Sequence, residues 1–273
     1  MTAKAAGSDP GPSSREWIGV VRHYLPSVVI FFVALLLWEL LVRAANLQRF
    51  VLPRPTAIGA AFAERSDTLI PSARETLFEA IGGLAIGTSA GLAVAFLAAR
   101  FTTMRDALLP WGVAASAVPI IAFAPIMNNW FGVISPLSKM MIVAVLVFFP
   151  VMINVTRGLS LVDPGALELM RSYAAGETTV LRQVRIPNAL PYFFTAMKIA
   201  TTLSLIGAIV GEYFGGADLV LGRQIVQSAS ALRFDVTWAA IALGAVTGVV
   251  FYLIVAGVER LVIPWHSSHR QAG

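Results

Sequence analysis

The polar residues that interrupt the apolar stretches of this chain are few, and their types limit the chemistry available. Asn128, Asn129 and Trp130 follow a stretch broken by Pro119 and Pro125; Lys198 lies one or two turns inside a later stretch, and Glu212 closes that stretch in GEYFGG. Polar groups within membrane-length segments are costly and point by default to a functional path, and carbonyls released by the prolines can line a cavity. Blander accounts stand beside this one. Asn128–Trp130 can be an interfacial aromatic anchor, Lys198 can snorkel to the surface, and Glu212 can gate an exit or pair with an arginine. Glu39 stands four residues before Arg43, the spacing of a helical ion pair. Covalent and metal chemistry lack residues: cysteine is absent, His23, His266 and His269 lie outside the apolar stretches, and the carboxylates are scattered. No G-x-x-x-x-G-K-[ST] loop occurs, and of Lys4, Lys139 and Lys198 none follows a glycine in such a loop. The chain therefore has no ordinary cradle for ATP phosphates.

A second polar concentration lies in SLVDPGALELMRSYAAGETTVLRQVRIPNALP. Asp163 is a good N-cap, Pro164 suits the first helical position, and Gly176 suits the residue after a helix end. The helix expected over 164–175 is about 18 Å long at 1.5 Å per residue, too short to cross a bilayer. A second short helix over about 177–186 is expected to end at Pro187, since the residue before proline avoids the α region. Leu167, Met170 and Ala174 fall on one side of the first helix, suited to a partner's groove.

These residues must be held by elements of membrane length. The chain has 273 residues, 57% hydrophobic and 13% charged, where a soluble domain carries about a quarter charged residues. That excludes a disordered chain and an ordinary soluble domain. No basic run is interleaved with aromatics, so a nucleic-acid partner is excluded too. The pattern predicts an all-α polytopic membrane protein with about six spans: 25–45, 76–99, 107–127 (interrupted by Pro110, Pro119 and Pro125), 136–156, 189–213 and 236–262. Gly83, Gly87 and Gly91 line one face of the second span, and Gly244 and Gly248 one face of the sixth, which reads as tight packing. The segment 46–75 is too polar to span; it predicts an interfacial helix capped by Thr56 with Ile58 and Phe62 on one face. The stretch 218–234 predicts a similar element.

The expected division is a disordered cytoplasmic tail over 1–24, one membrane domain over 25–265 containing the loop 158–188, and a cytoplasmic tail over 266–273. Flanking basic residues favour the side carrying 100–105 and 157–187 as cytoplasmic, with Lys139 on the opposite flank. An even number of spans then places both termini in the cytoplasm.

The loop resembles the signature of ABC importer permeases: Glu, two small residues, three positions, Gly, nine positions, then Ile-x-Leu-Pro. Here stand Glu168, Leu169, Met170, three residues, Ala174, nine residues, then Val184-Arg185-Ile186-Pro187. Leu169, Met170 and Ala174 depart from the pattern, and Ala174-Ala175-Gly176 would move the flexible residue two positions along. The likeness extends through LPRPTAIGAAF, AVPIIAFAPIMNNWFG and NALPYFFTAMKIATTLSLIGAIVGEYFGG, which resemble the sulfonate, taurine, nitrate and pyrimidine-precursor branch. NNWFG and RIPNALPYFFTAMKIA are most similar to importers of thiamin-pyrimidine precursors or riboflavin.

The resemblance implies a type I importer permease with a coupling helix, working as a homodimer in a bacterial inner membrane. It implies cytoplasmic subunits that bind ATP and Mg, and an extracytoplasmic binding protein that delivers a small solute. Glu168, Arg171, Ser172, Tyr173, Ala174, Ala175, Gly176 and Pro187 are its ATPase-coupling residues; no cofactor is expected in this chain. Asn128, Asn129, Trp130, Lys198 and Glu212 are the expected solute path. No basic residue is evident at mid-span, which favours a neutral heterocycle over a sulfonate or nitrate. A secondary transporter would show acidic or histidine relays or inverted halves, and no repeat is visible.

Overall fold

A computed structural model describes residues 14–265; the tail expected over 266–273 and the first thirteen residues lie outside it. The described residues are helical. The elements are α1 (Ser14–Ala44), α2 (Pro55–Arg100), α3 (Thr102–Ser116), α4 (Ala124–Phe131), α5 (Pro136–Ser160), α6 (Pro164–Ser172), α7 (Glu177–Val180), α8 (Ile186–Tyr213), α9 (Leu221–Ser230) and α10 (Phe234–Val262). Helix α1 begins at Ser14, inside the stretch read from composition as a tail.

Among the described residues, five helices are long and apolar enough to cross a membrane: Leu25–Ala44, Pro55–Arg100, Pro136–Ser160, Glu177–Tyr213 and Phe234–Val262. The expected third span is not one of them. It divides into α3 and α4, joined through Ile120–Phe123 in a 3-10 turn. Pro119 and Pro125, which lack an N–H, bracket the break. The two pieces still connect opposite ends of the bundle. Arg100, at the end of α2, pairs with Glu177 beside the 161–185 loop, 3.2 Å apart. Asn128 of α4 instead donates to the Phe214 carbonyl at the far end of α8, 3.2 Å away. The chain thus runs from a loop face to a far face through a discontinuous sixth crossing.

Helix α5 is central, packed between α2 and α8. Its Val143, Val147, Val151 and Leu159 join Leu84, Ala200 and Leu205 in one apolar core. The glycine stripe on α2 makes that approach possible. A Cβ on Gly87 would lie within 2.9 Å of the Ala144 Cα, so only glycine lets the two backbones meet. Gly244 and Gly248 do otherwise: a Cβ there would face the side-chain ends of Ile209 and Leu205, and both glycines line an open groove.

The interfacial element over 46–75 is the first part of α2 rather than a separate helix. Arg65 leaves the helical region (φ −117°, ψ 15°) and kinks α2 there. The N-cap is Arg54 and not Thr56. Ile58 and Phe62 do share a buried face, packed with Leu69, Leu221 and Val236. Thr56 donates its hydroxyl to Glu39, which also binds Arg43 at 2.7 Å, so the expected i,i+4 pair additionally braces α1 to α2.

Candidate functional site

Helix α6 is built as its sequence dictates at the start. Asp163 accepts the Gly165 N–H at 3.2 Å, and Pro164 occupies the first turn. Its end differs from the expectation. The left-handed residue is Ala174 (φ +51°), while Gly176 is extended (φ −67°, ψ 158°). The Ala174 N–H donates to Arg171 O at 2.9 Å and the Ala175 N–H to Met170 O at 3.0 Å. This pair of bonds forms a complete Schellman ending, and it supplies the reason for the shift: its geometry fixes the left-handed position, and an alanine is forced into it. Position 174 is where the permease pattern carries glycine, so the turn has not moved along the chain.

The faces of α6 are also assigned differently. Leu167 and Met170 are half-buried against the body of the protein, with Leu167 lining a cavity beside Phe96, whereas Ala174 is exposed. The outward surface consists of Glu168, Leu169, Arg171, Ser172 and Tyr173, with Leu169 56% and Tyr173 75% exposed. Ser172 donates to the Leu169 carbonyl at 2.7 Å. The expected second short helix is not separate. Residues Leu181–Arg185 form a π turn that feeds Glu177–Val180 directly into α8, and Pro187 sits in the first turn of α8. A proline that would end a helix becomes tolerable where the register has already widened.

One anchoring residue carries no motif signal. Asn188 donates its amide N–H groups to the carbonyls of Gly158 (2.7 Å) and Leu161 (2.9 Å). It closes the carbonyl end of α5 and fixes both ends of the loop relative to each other.

At the far face lies a buried charge cluster. The Lys139 side chain is fully buried; it donates to Val133 O and, at 3.4 Å, to Asn128 Oδ1. Glu79 and Glu212 both face its ammonium. Glu212 Oε2 accepts the Gly222 N–H at 2.6 Å, and the Thr76 hydroxyl accepts the Leu221 N–H at 2.9 Å. Thr76 and Glu212 thus fasten α2 and α8 to the first turn of α9, and Lys139 fastens α5 to Asn128 of α4, with the Glu79 and Glu212 carboxyl groups in its electrostatic reach. Lys139, which reads as a flank charge in the sequence, and Glu79, at the start of the second predicted span, are the heart of this cluster. Their only linear signal is a location at span ends, shared with surface residues.

The five expected path residues do not converge. Asn128 bonds Lys139, whose ammonium lies in the field of Glu212, while Asn129 and Trp130 are exposed on α4. Lys198 lies about 21 Å along α8 from Glu212 at 1.5 Å per residue. It pairs with the nearly buried Glu259 of α10 at 2.8 Å, rather than reaching to the surface alone. Between α8 and α10 runs an apolar groove of about 540 Å³, lined by Thr202, Ile206, Tyr213, Gly244 and Tyr252.

Membrane-length helices around a discontinuous crossing, with an exposed loop helix and a buried charge clamp, define a multi-pass membrane protein. The chain belongs to the family described as the binding-protein-dependent transport system inner membrane component, which residues 87–265 match. It is therefore a multi-pass inner-membrane permease of the ABC transporter class, of type I fold. It is 28% identical over 247 residues to a formylaminopyrimidine transport permease of Halalkalibacterium halodurans, covering 89% of this chain and 97% of that one. A permease named for aliphatic sulfonate transport in Bacillus subtilis is 26% identical over 275 residues, covering 98% and 99%. The fold matches a crystal structure of an amino acid ABC transporter with histidines, at TM-score 0.61 and 19% identity, over 74% of this chain and 98% of that one.

Proposed function

We propose that this chain is the permease subunit of an ATP-driven importer. It pairs with a second copy and carries a small heterocycle, of the pyrimidine-precursor or riboflavin kind, delivered by an extracytoplasmic binding protein. ATP and Mg are bound by cytoplasmic partner subunits; the loop face and both termini are cytoplasmic. Residues 158–188 form the coupling loop within the membrane domain.

The observation that carries the reading is α6. Glu168, Leu169, Ser172 and Tyr173 stand out from the bundle on a short helix whose ends are both capped, at the spacing of the permease signature. A rigid amphipathic knob of this kind seats in a groove and transmits displacement. Asn188 makes it move with α5, and the π turn makes it move with α8. Arg171, Ala174, Ala175, Gly176 and Pro187 shape the knob and its exit.

The heterocycle assignment rests on charge. Lys139 is the cation buried inside a span at the far face; it donates to two carbonyl oxygens and feels the negative field of Glu79 and Glu212. It presents no ammonium to an anionic solute. Asn129 and Trp130, exposed at the far-face end of α4, offer amide and aromatic contacts to a planar ring. Glu212 acts on the path through its hold on α9.

Co-expression with the ATP-binding subunit tests the coupling assignment. The intact chain retains that subunit on purification; Glu168→Ala with Tyr173→Ala loses it at least about tenfold, the loss of about 1.4 kcal/mol or more. Full retention by the double variant contradicts docking through α6. Uptake by proteoliposomes containing all subunits tests the solute: import of a labelled aminopyrimidine is expected, and import of a sulfonate alone overturns the heterocycle reading.

A further inference from the structure

Behind α6, on the side turned away from the docking surface, lies a cavity of about 630 Å³. Its walls come from three elements that the sequence holds far apart: Phe96, Ala99 and Arg100 from the end of α2, Leu167 and Arg171 from α6, and Arg185 from the approach to α8. Three guanidinium groups thus line it. Glu177 is the acidic residue of the lining, and its carboxylate, 88% exposed, is held at the mouth by Arg100 at 3.2 Å. The lining carries a net charge of +2. Beside these charges the lining is apolar at Phe96, Ala99, Leu167 and Leu181.

The placement matters as much as the charge. Arg100 ends one membrane-length helix and Arg185 lies near the start of another, so the cavity lies at the depth of the lipid headgroups on the loop face. A planar guanidinium matches phosphate oxygens in a bidentate geometry that an ammonium cannot reproduce. Arg185 spends one N–H on the Leu159 carbonyl at 3.4 Å, which orients the group and leaves its remaining donors for another acceptor.

We propose that this cavity binds a phosphate group, supplied by an anionic phospholipid whose first acyl carbons rest on Phe96 and Leu181. Amphiphilic walls select such a ligand: the arginines take the phosphodiester and the apolar lining takes the glycerol and upper chain. Bound there, one lipid bridges α6 to the ends of α2 and α8. The site is separate from the outward residues assigned to the partner subunit, apart from Arg171 at its edge.

The test uses the full chain in nanodiscs of equal phosphatidylglycerol and phosphatidylcholine, released into a native mass spectrometer. The intact protein retains phosphatidylglycerol in preference to phosphatidylcholine. Arg100→Gln with Arg185→Gln weakens that retention about 25-fold, near fivefold for each arginine at the surface. Arg105→Gln, which removes a charge outside the cavity on the same face, leaves it unchanged. Arg185→Lys keeps the charge and still lowers phosphatidylglycerol retention, which separates phosphate recognition from general attraction and guards against a misfolded double variant. A second arm adds inorganic phosphate to lipid-depleted protein and follows thermal unfolding. No shift is expected at millimolar phosphate. Equal retention of the two lipids by the intact chain, an equal loss in Arg105→Gln, or stabilisation by inorganic phosphate without retained lipid each overturns the proposal.

Discussion

Replacing Lys139 by methionine removes one charge from the far-face cluster and nothing from its shape. The structure sets the cost. The Val133 and Asn128 oxygens lose their donor, and Glu79 and Glu212 lose the nearby positive charge in a site closed to water. Each buried acceptor left unsatisfied costs about 1–3 kcal/mol, and two are left here. We expect Lys139→Met to fall by about 4 kcal/mol, within that range. The added variants Glu79→Gln and Glu212→Gln on the same background remove the stranded charges, and should restore at least half of the loss. Reversible unfolding in mixed micelles, following helix content against the mole fraction of denaturing detergent, measures each difference. The same clamp holds the first turn of α9, so Lys139→Met should also expose 218–230 to limited proteolysis before the rest of the chain. A change below about 0.5 kcal/mol for Lys139→Met, or further loss in the triple variant, refutes the reasoning that charge compensation stabilises this junction.

Three further outcomes follow from local geometry. Gly87→Ala drives a methyl into the Ala144 backbone and should cost about 1–3 kcal/mol by the same unfolding measurement; a neutral result would mean that α2 and α5 separate without penalty. Ala174→Gly relieves a left-handed alanine and should gain about 0.5–1 kcal/mol, whereas Ala174→Val should lose more than that. Asn188→Ala gives up two hydrogen bonds at the end of α5 and should raise amide exchange across 161–185. Unchanged exchange there would show that the loop is held by other contacts.

The elements that were legible from sequence are those set by local rules. Asp163 and Pro164 start α6, and the length of its polar run forbids a span. The glycine spacing on α2 announces a helix contact, and the structure supplies the neighbour, α5. The Glu39–Arg43 pair follows from helical spacing. What sequence order concealed is set by contacts between distant segments. Lys139 looks like a flank charge, and Glu79 like a charge at the start of a span, because burial depends on α4, α8 and α9 closing over them. Lys198 looks like a snorkelling residue because its partner Glu259 is 61 positions away. Gly176 attracted the helix end because glycine is the residue best suited to it; the hydrogen bonds of α6 place the turn at Ala174 regardless. The third crossing was readable as interrupted, from its prolines, but where α3 stops and α4 begins depends on packing against α5.

On the function proposed above, α6 is the surface through which a separate ATPase moves this permease. A photo-crosslinking amino acid in place of Tyr173, which is 75% exposed, tests it most directly in the assembled transporter. The same substitution at Leu167, turned toward the body, and at Trp130 on the far face supplies the reference. A covalent adduct with the ATP-binding subunit is expected from position 173 and none from 130. An intact complex that crosslinks from 130 and not from 173 would contradict it.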